Sequence, residues 1–185
     1  MMRVLPSSFF RRPVLVVAQE LLGKFLVRRV RGKTTAAMIT EVEAYDGPHD
    51  KACHAYRGKT PRNAVMFGPA GRWYVYFVYG MHWMLNIVTG EKGYPAAVLI
   101  RGVCSEDARG AGEWNGPAKL TKALAVDRVF NGKPAVKKAG LWIEDRGIGV
   151  SHRQIVRTPR IGVAYAGIWA KKPYRFVLRK KSCDH

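Results

Sequence analysis

Residues 73–88, WYVYFVYGMHWMLNIV, constrain this chain more than any other stretch. The run is 16 residues long and apolar except at Gly80, His82 and Asn86. A membrane-spanning helix needs about 20 predominantly apolar residues, so the run is too short and too interrupted to span. Aromatic and β-branched residues at this density favour strands, and a central glycine favours a reversal of the chain. Residues 72–79 are therefore expected as one strand and residues 83–88 as its partner. Side chains alternate across a strand, so Tyr74, Tyr76 and Val78 share one face and Trp73, Val75, Phe77 and Tyr79 the other. Both faces are apolar, which predicts a strand buried on both sides. Tyr79 stands apart because Gly80 follows it: a large aromatic at a hairpin tip has little core to fill.

The remaining pattern extends this sheet. Residues 25–30, 36–45, 95–103, 141–144, 161–164 and 174–179 read as strands, with turns at Arg31-Gly32-Lys33, at 68–71 and at Asn131-Gly132. Helices are expected over 13–22, where Val14, Val17, Ala18, Leu21 and Leu22 fall on one face and Gly23 follows, and over 117–126 after Asn115-Gly116. Strands do not alternate regularly with helices, which disfavours a doubly wound parallel sheet. The expected fold class is α+β, a mostly antiparallel sheet with a few flanking helices. A length of 185 residues without repeats or a long linker suits one domain spanning 1–185.

Charge narrows the partner. The chain has 32 Lys and Arg against 13 Asp and Glu, a net charge of +19. Such an excess predicts a polyanion, nucleic acid or an acidic membrane surface. Basic clusters stand at Arg28, Arg29, Arg31 and Lys33, and at Lys171, Lys172, Arg175, Arg179, Lys180 and Lys181. A merely solvated surface would mix signs, and these runs do not, so phosphate contact is the favoured reading. In that setting Tyr79 could wedge between base pairs. Cys53, Cys104 and Cys183 are odd in number and widely spaced, so neither a disulfide framework nor a zinc knuckle is indicated, and the compartment is expected to be reducing. The N-terminus lacks the apolar core of a signal peptide.

The candidate chemistry lies in Glu41-Val42-Glu43-Ala44-Tyr45. On a strand Glu41, Glu43 and Tyr45 share a face. Two carboxylates at this spacing raise each other's pKa, and burial raises both, which makes the pair a candidate general base. The competing reading is a solvated face paired with the abundant arginines. Five histidines show no metal spacing, and the zinc-deaminase, P-loop, Rossmann and serine-hydrolase patterns are missing. No metal and no cofactor are expected.

Several motifs in order then resemble one family, the alkyladenine (3-methyladenine) DNA glycosylases. E-V-E-A-Y-D-G-P-H-D-K-A-C-H over 41–54, T-P-R-N over 60–63 followed by Met66-Phe67, and Y-V-Y-F-V-Y-G-M-H-W-M-L-N over 74–86 carry the resemblance. Arg101 after V-L-I, G-P-A-K-L over 116–120, R-I-G-V over 160–163, W-A-K-K-P over 169–173 and Arg175-Phe176 continue it. The resemblance implies a compact α+β domain around a curved antiparallel sheet, acting as a monomer on duplex DNA. It implies hydrolysis of the N-glycosidic bond of a damaged purine, alkylated such as 3-methyladenine or 7-methylguanine, with hypoxanthine and ethenoadenine in range. Glu43 would activate water and Arg101 would help place it. Tyr45, His54 and Tyr76 would hold the flipped base, Asn86 would border the pocket against normal guanine, and Tyr79 would intercalate. Thr60, Arg62, Lys171 and Lys172 would contact DNA, and Glu41 would have a supporting role. The expected location follows the DNA: cytoplasm and nucleoid in a prokaryote, nucleus in a eukaryote.

Two other readings stay open from the residues. A non-catalytic nucleic-acid-binding module would need only the basic patches and exposed aromatics. A glycosylase-lyase would need a Schiff-base lysine, and none stands among the pocket residues so matched.

Overall fold

A computed structural model describes residues 2–105 and 113–179. Its frame is one ten-stranded sheet in which every pairing is antiparallel. The chain enters through the short strand β1 (Arg3–Val4) and helices α1 (Ser7–Phe10) and α2 (Val14–Leu21). Helix α2 buries Val14, Val17, Ala18 and Leu21, the face expected from their spacing. It stops where Gly23 takes a φ of 80°, a left-handed conformation that glycine adopts without a Cβ penalty. Strand β2 (Phe25–Val30) and the long strand β3 (Lys33–Asp46) follow, joined by a two-residue turn at Arg31 and Gly32. Next come the hairpin β4 (Trp73–Val78) and β5 (His82–Thr89), then β6 (Ala96–Ser105) and β7 (Glu113–Asn115). Helix α3 (Pro117–Ala123), β8 (Leu141–Asp145), β9 (Ile155–Thr158) and β10 (Arg175–Leu178) complete the order. The strands run β1-β8-β2-β3-β6-β5-β4 across the sheet, with β7 beside β6, and β10 between β3 and β9.

Strand β3 organises the site. One edge pairs with β6 along Ala37–Asp46. The other pairs first with β2 up to Met38 and then with β10 from Glu41 to Glu43. The register with β6 slips on both sides of Glu41, a bulge of the kind that re-aims a side chain. Beyond it Glu43 stands opposite Leu99 and Arg175, Leu99 opposite Asn86, and Asn86 opposite Tyr74. These residues therefore form one lateral row on one face. The other face carries Val42, Ala44, Trp73, Val75, Leu85, Ile87, Val98 and Ile100, which join α2 and the rest of the main core. The row's own face is covered by residues 52–67, where Cys53, Ala55 and Met66 pack on Tyr74, Val88 and Ala97.

The α+β fold class holds, and three local expectations do not. Residues 161–164 form no strand; Ala164–Lys171 is 3-10 helical turn and the missing strand is β9, six residues earlier. Pro159 and Gly162 break the ladder, and Ile161 is half exposed at 51%. Strand β4 is buried on both faces only at Trp73, Tyr74 and Val75; Phe77 is 42% exposed because the hairpin projects past the sheet that covers it. The basic runs are also not uniformly free. Arg28 donates to the carbonyls of Leu124, Ala125, Arg29 and Gly140 and lies over the Phe130 ring. Arg29 donates to the Lys137 carbonyl, and Arg175 is paired with Glu41. Three of these arginines tie the fold together. Lys180, Lys181 and Cys183 lie outside the described residues.

Candidate active site

The Glu43 side chain has no solvent exposure, and donors engage both of its oxygens. Oε1 accepts the Ile161 backbone N–H at 2.8 Å. Oε2 accepts the Tyr45 hydroxyl at 2.8 Å and faces Arg101 Nη1 at 3.5 Å. A carboxylate offers about four lone-pair positions, so the three donors among the described residues leave room for one more partner. Burial pushes the Glu43 carboxyl above its ordinary range; Arg101, the Ile161 amide and Tyr45 pull it down in part, and Glu41 pushes it up. A raised carboxylate beside fixed donors is the state expected of a general base.

Glu41 is the sharper outcome of the paired carboxylates. Its Oε1 accepts Arg101 Nε at 2.9 Å and Arg175 Nε at 2.7 Å. Both carboxylates thus meet arginines, as the plainer reading held, but in a buried cluster and not on a solvated face. Glu41 fixes Arg101, and Arg101 reaches on to Glu43.

Next to the Glu43–Tyr45 pair a narrow pocket is lined by Tyr45, His54, Met66, Tyr74, Tyr76, Asn86 and Ala97. Strand alternation puts Tyr74 and Tyr76 on its wall, their rings 5.1 Å apart. The His54 ring stands edge-on to Tyr76 at 4.6 Å, and its Nδ1 is 2.9 Å from the Tyr74 hydroxyl. Burial and the Arg62 charge lower the His54 pKa, which favours the neutral ring. Burial first, and neighbouring acidic groups second, raise Tyr45 and Tyr76, which keeps both phenols protonated. Asn86 is buried and donates Nδ2 to the Tyr74 carbonyl. The structure therefore gathers Tyr45, His54, Tyr76 and Asn86 around one space, and Glu43 adjoins it through the Tyr45 hydroxyl with Arg101 behind. Among the described residues no lysine lines it; Lys51, from the same motif, is exposed beside the Tyr56 ring. Among the described residues no group of His, Cys, Asp or Glu could hold a metal ion.

Tyr79 is 84% exposed at the hairpin tip, with a φ of 53°. Arg62 lies near the pocket mouth, its guanidinium 5.4 Å from the Tyr76 ring centroid and donating to the Phe77 carbonyl. Thr60 is exposed, but its backbone and hydroxyl both bond Asn63, whose own amide holds the His54 and Gly58 carbonyls. Lys171 and Lys172 are exposed at the end of the 164–171 turn. Tyr165 on that turn is 71% exposed and lies within electrostatic reach of Tyr79.

Four pocket or loop residues escaped the sequence reading. Tyr74 and Met66 were present in its motifs without a role. Asp50 and Arg160 were not singled out, because their pairing joins segments 110 residues apart. A roomier cleft lies between α1, α2 and Asp145 and is lined by none of the candidate site residues.

Comparison with known proteins follows the same residues. The methylpurine-DNA glycosylase family matches residues 8–182. A protein of Methanocella arvoryzae is 46% identical over 194 residues, covering 98% of this chain and 96% of its own. One from Myxococcus xanthus is 47% identical, covering 96% and 91%. One from Legionella pneumophila strain Lens is 41% identical, covering 96% of each. All three carry the provisional name 3-methyladenine DNA glycosylase.

Proposed function

Because the chain belongs to the methylpurine-DNA glycosylase family, we propose that it extrudes a damaged purine from duplex DNA and hydrolyses its N-glycosidic bond with water activated by Glu43. Family membership makes it a DNA-repair glycosylase acting on DNA; the flipping step, the base range and the residue roles are this reading's own. One observation carries it: a fully buried carboxylate with a raised pKa and, among the described residues, one lone-pair position to spare, bonded to a tyrosine that lines an aromatic pocket.

The chemistry follows in order. A base within a duplex cannot reach the pocket, so it must leave the stack at a cost of a few kcal/mol. Tyr79 fills the gap from the hairpin tip. Tyr45, His54 and Tyr76 enclose the extruded base, and Asn86 stands at its edge. Alkylated purines such as 3-methyladenine and 7-methylguanine are cationic, and neutral imidazole and phenol rings can face a cation without repelling it. Water on Glu43, with Arg101 beside it, meets the sugar as oxocarbenium character develops, and Glu43 takes the proton. The purine departs and an abasic site remains. Among the described residues no carboxylic acid lines the pocket itself. Cationic purines, which leave without protonation, are therefore favoured over the neutral hypoxanthine and ethenoadenine. Catalysis draws on no metal, cofactor or lysine adduct, the enzyme works as a monomer on duplex DNA, and residues 1–185 form one catalytic domain. It acts in the compartment that holds the DNA. Among the described residues no helix is long and apolar enough to cross a membrane.

Glu43→Gln tests the reading. Base release from methylated duplex DNA should fall by about 10²–10⁴-fold, as for loss of a general base. Lesion-duplex binding should persist, because the wedge, pocket and phosphate contacts do not need the charge. Product strands should remain intact until alkali is added. Parental base release by the Gln variant would sink the mechanism.

A further inference from the structure

The R-I-G-V segment at 160–163 carries the Ile161 amide that bonds Glu43, and its arginine is buried beside that contact. The structure shows what its arginine holds. The Arg160 side chain has no solvent exposure and binds both oxygens of the equally buried Asp50. Its Nη groups also donate to the Ala44 carbonyl at 2.8 Å and the Trp169 carbonyl at 3.2 Å. The guanidinium lies 4.8 Å from the Tyr45 ring centroid and 5.2 Å from that of Tyr174. Asp50 in turn accepts the backbone N–H groups of Asp46 and Ala52. One ion pair therefore joins the end of β3, the 46–52 loop and the 160–169 loop.

These contacts converge on Glu43. Ala44, which accepts from Arg160, adjoins it in the chain. Tyr45, under the guanidinium, donates to Oε2. Ile161, next to Arg160, donates its N–H to Oε1. A buried ion pair is a poor source of net stability, and Arg160 Nε is buried without a partner, which adds cost. What such a pair supplies is geometry.

We propose that Arg160, locked by Asp50, is a positioning residue for Glu43, holding the Ile161 amide and the Tyr45 ring that engage the two carboxylate oxygens. The inference rests on Glu43 as the base and assigns Arg160 no contact with the substrate. The groups facing Glu43 are Glu41 and Tyr45 on β3, Arg101 on β6, Arg175 on β10, Tyr76 on β4, and Arg160 with the Ile161 amide on the loop. Arg160 and Asp50 set the loop's share of this environment. A misplaced amide no longer favours the carboxylate over the acid, so Glu43 holds its proton to higher pH and the acid limb of the rate profile climbs.

Arg160→Lys keeps the charge but loses the planar fork that spans Asp50 and two carbonyls. Ile161→Pro deletes one N–H at an exposed position and leaves the ion pair in place. Asp50→Asn weakens the lock from the other side. Each is followed by base release from methylated duplex DNA in single turnovers at saturating enzyme, across pH, with folding checked by circular dichroism and melting. Lesion-duplex affinity is measured in the Glu43→Gln background. In every folded variant the acid limb should rise by about one unit, and release on that limb should fall about tenfold, the weight of one charge-assisted hydrogen bond. Affinity should change by less than about threefold, because none of these groups is assigned to DNA. A folded Arg160→Lys or Ile161→Pro enzyme with the parental rate and acid limb would overturn the proposal. Loss of affinity with an unmoved acid limb would overturn it too, marking the loop as a DNA contact. If Glu43→Gln itself releases base, the underlying mechanism has failed; if it is inactive while the folded loop variants are parental, only the positioning role has.

Discussion

Glu43 holds a negative charge where burial most disfavours one, and two predictions follow from that conflict. Its pKa is raised in the folded protein, so the native state binds a proton more readily than the unfolded chain. The ionised form therefore costs stability at neutral pH, and that cost is relieved as pH falls through the raised pKa. Glu43→Gln should melt no lower than the parent at pH 7, and the difference should move in the parent's favour as pH falls; melting curves at several pH values check this. Base release runs the opposite way, rising with pH as Glu43 ionises, with its acid limb above the ordinary glutamate value of about 4.3. Glu41→Gln should cost about tenfold, much less than Glu43→Gln, because it loosens Arg101 and Arg175 without removing the base. Single-turnover base release reads this second difference directly. At this scale the sequence was legible where the relation is local. Strand alternation alone brings Tyr45 over Glu43, and the pocket face of β4 likewise. Arg101, His54 and Asn86 took their places from the family resemblance. Asp50 with Arg160, and Asn63 with the His54 carbonyl, depend on loop paths that no periodicity encodes.

The β4–β5 hairpin concentrates exposure and strain at one point. Tyr79 and Gly80 both take positive φ, which costs a tyrosine but not a glycine. Tyr79→Ala and Tyr79→Gly should weaken lesion-duplex binding alike, since both remove the ring. Their stabilities should differ, the glycine variant exceeding the alanine variant by about 1 kcal/mol. Equilibrium titration and denaturant unfolding separate the two effects. A structural tyrosine would instead lose several kcal/mol in both variants. Helix α2, strand β2 and this hairpin were readable because their apolar periods match their elements. Strand β9 was not, since Ile155–Thr158 is only four residues long and half-buried, while the more apolar 161–164 drew the assignment. Its place comes from pairing with β10, a contact that its own residues do not announce.

Across the whole molecule the net charge of +19 is divided between holding the chain and meeting DNA. The logarithm of affinity should fall with the logarithm of salt by about 0.9 per phosphate neutralised. Charge reversal at Lys171 and Lys172 should flatten that slope. Arg28→Met should leave the slope unchanged and lower the melting temperature, because four carbonyls and a ring lose their partner. An unchanged slope in the lysine variant would remove that turn from the DNA face. The division also has a spatial order. Glu43 sits on a strand hydrogen-bonded along both edges, whereas Tyr79, Lys171 and Lys172 project from a hairpin tip and a turn. Amide protons of Val42 and Glu43 should then exchange with deuterium only when the entire sheet opens, while those around Tyr79 and Tyr165 exchange through small local excursions. On warming, the hairpin tip and the turn should therefore loosen before the strand that carries Glu43, so that DNA binding fails first and returns last.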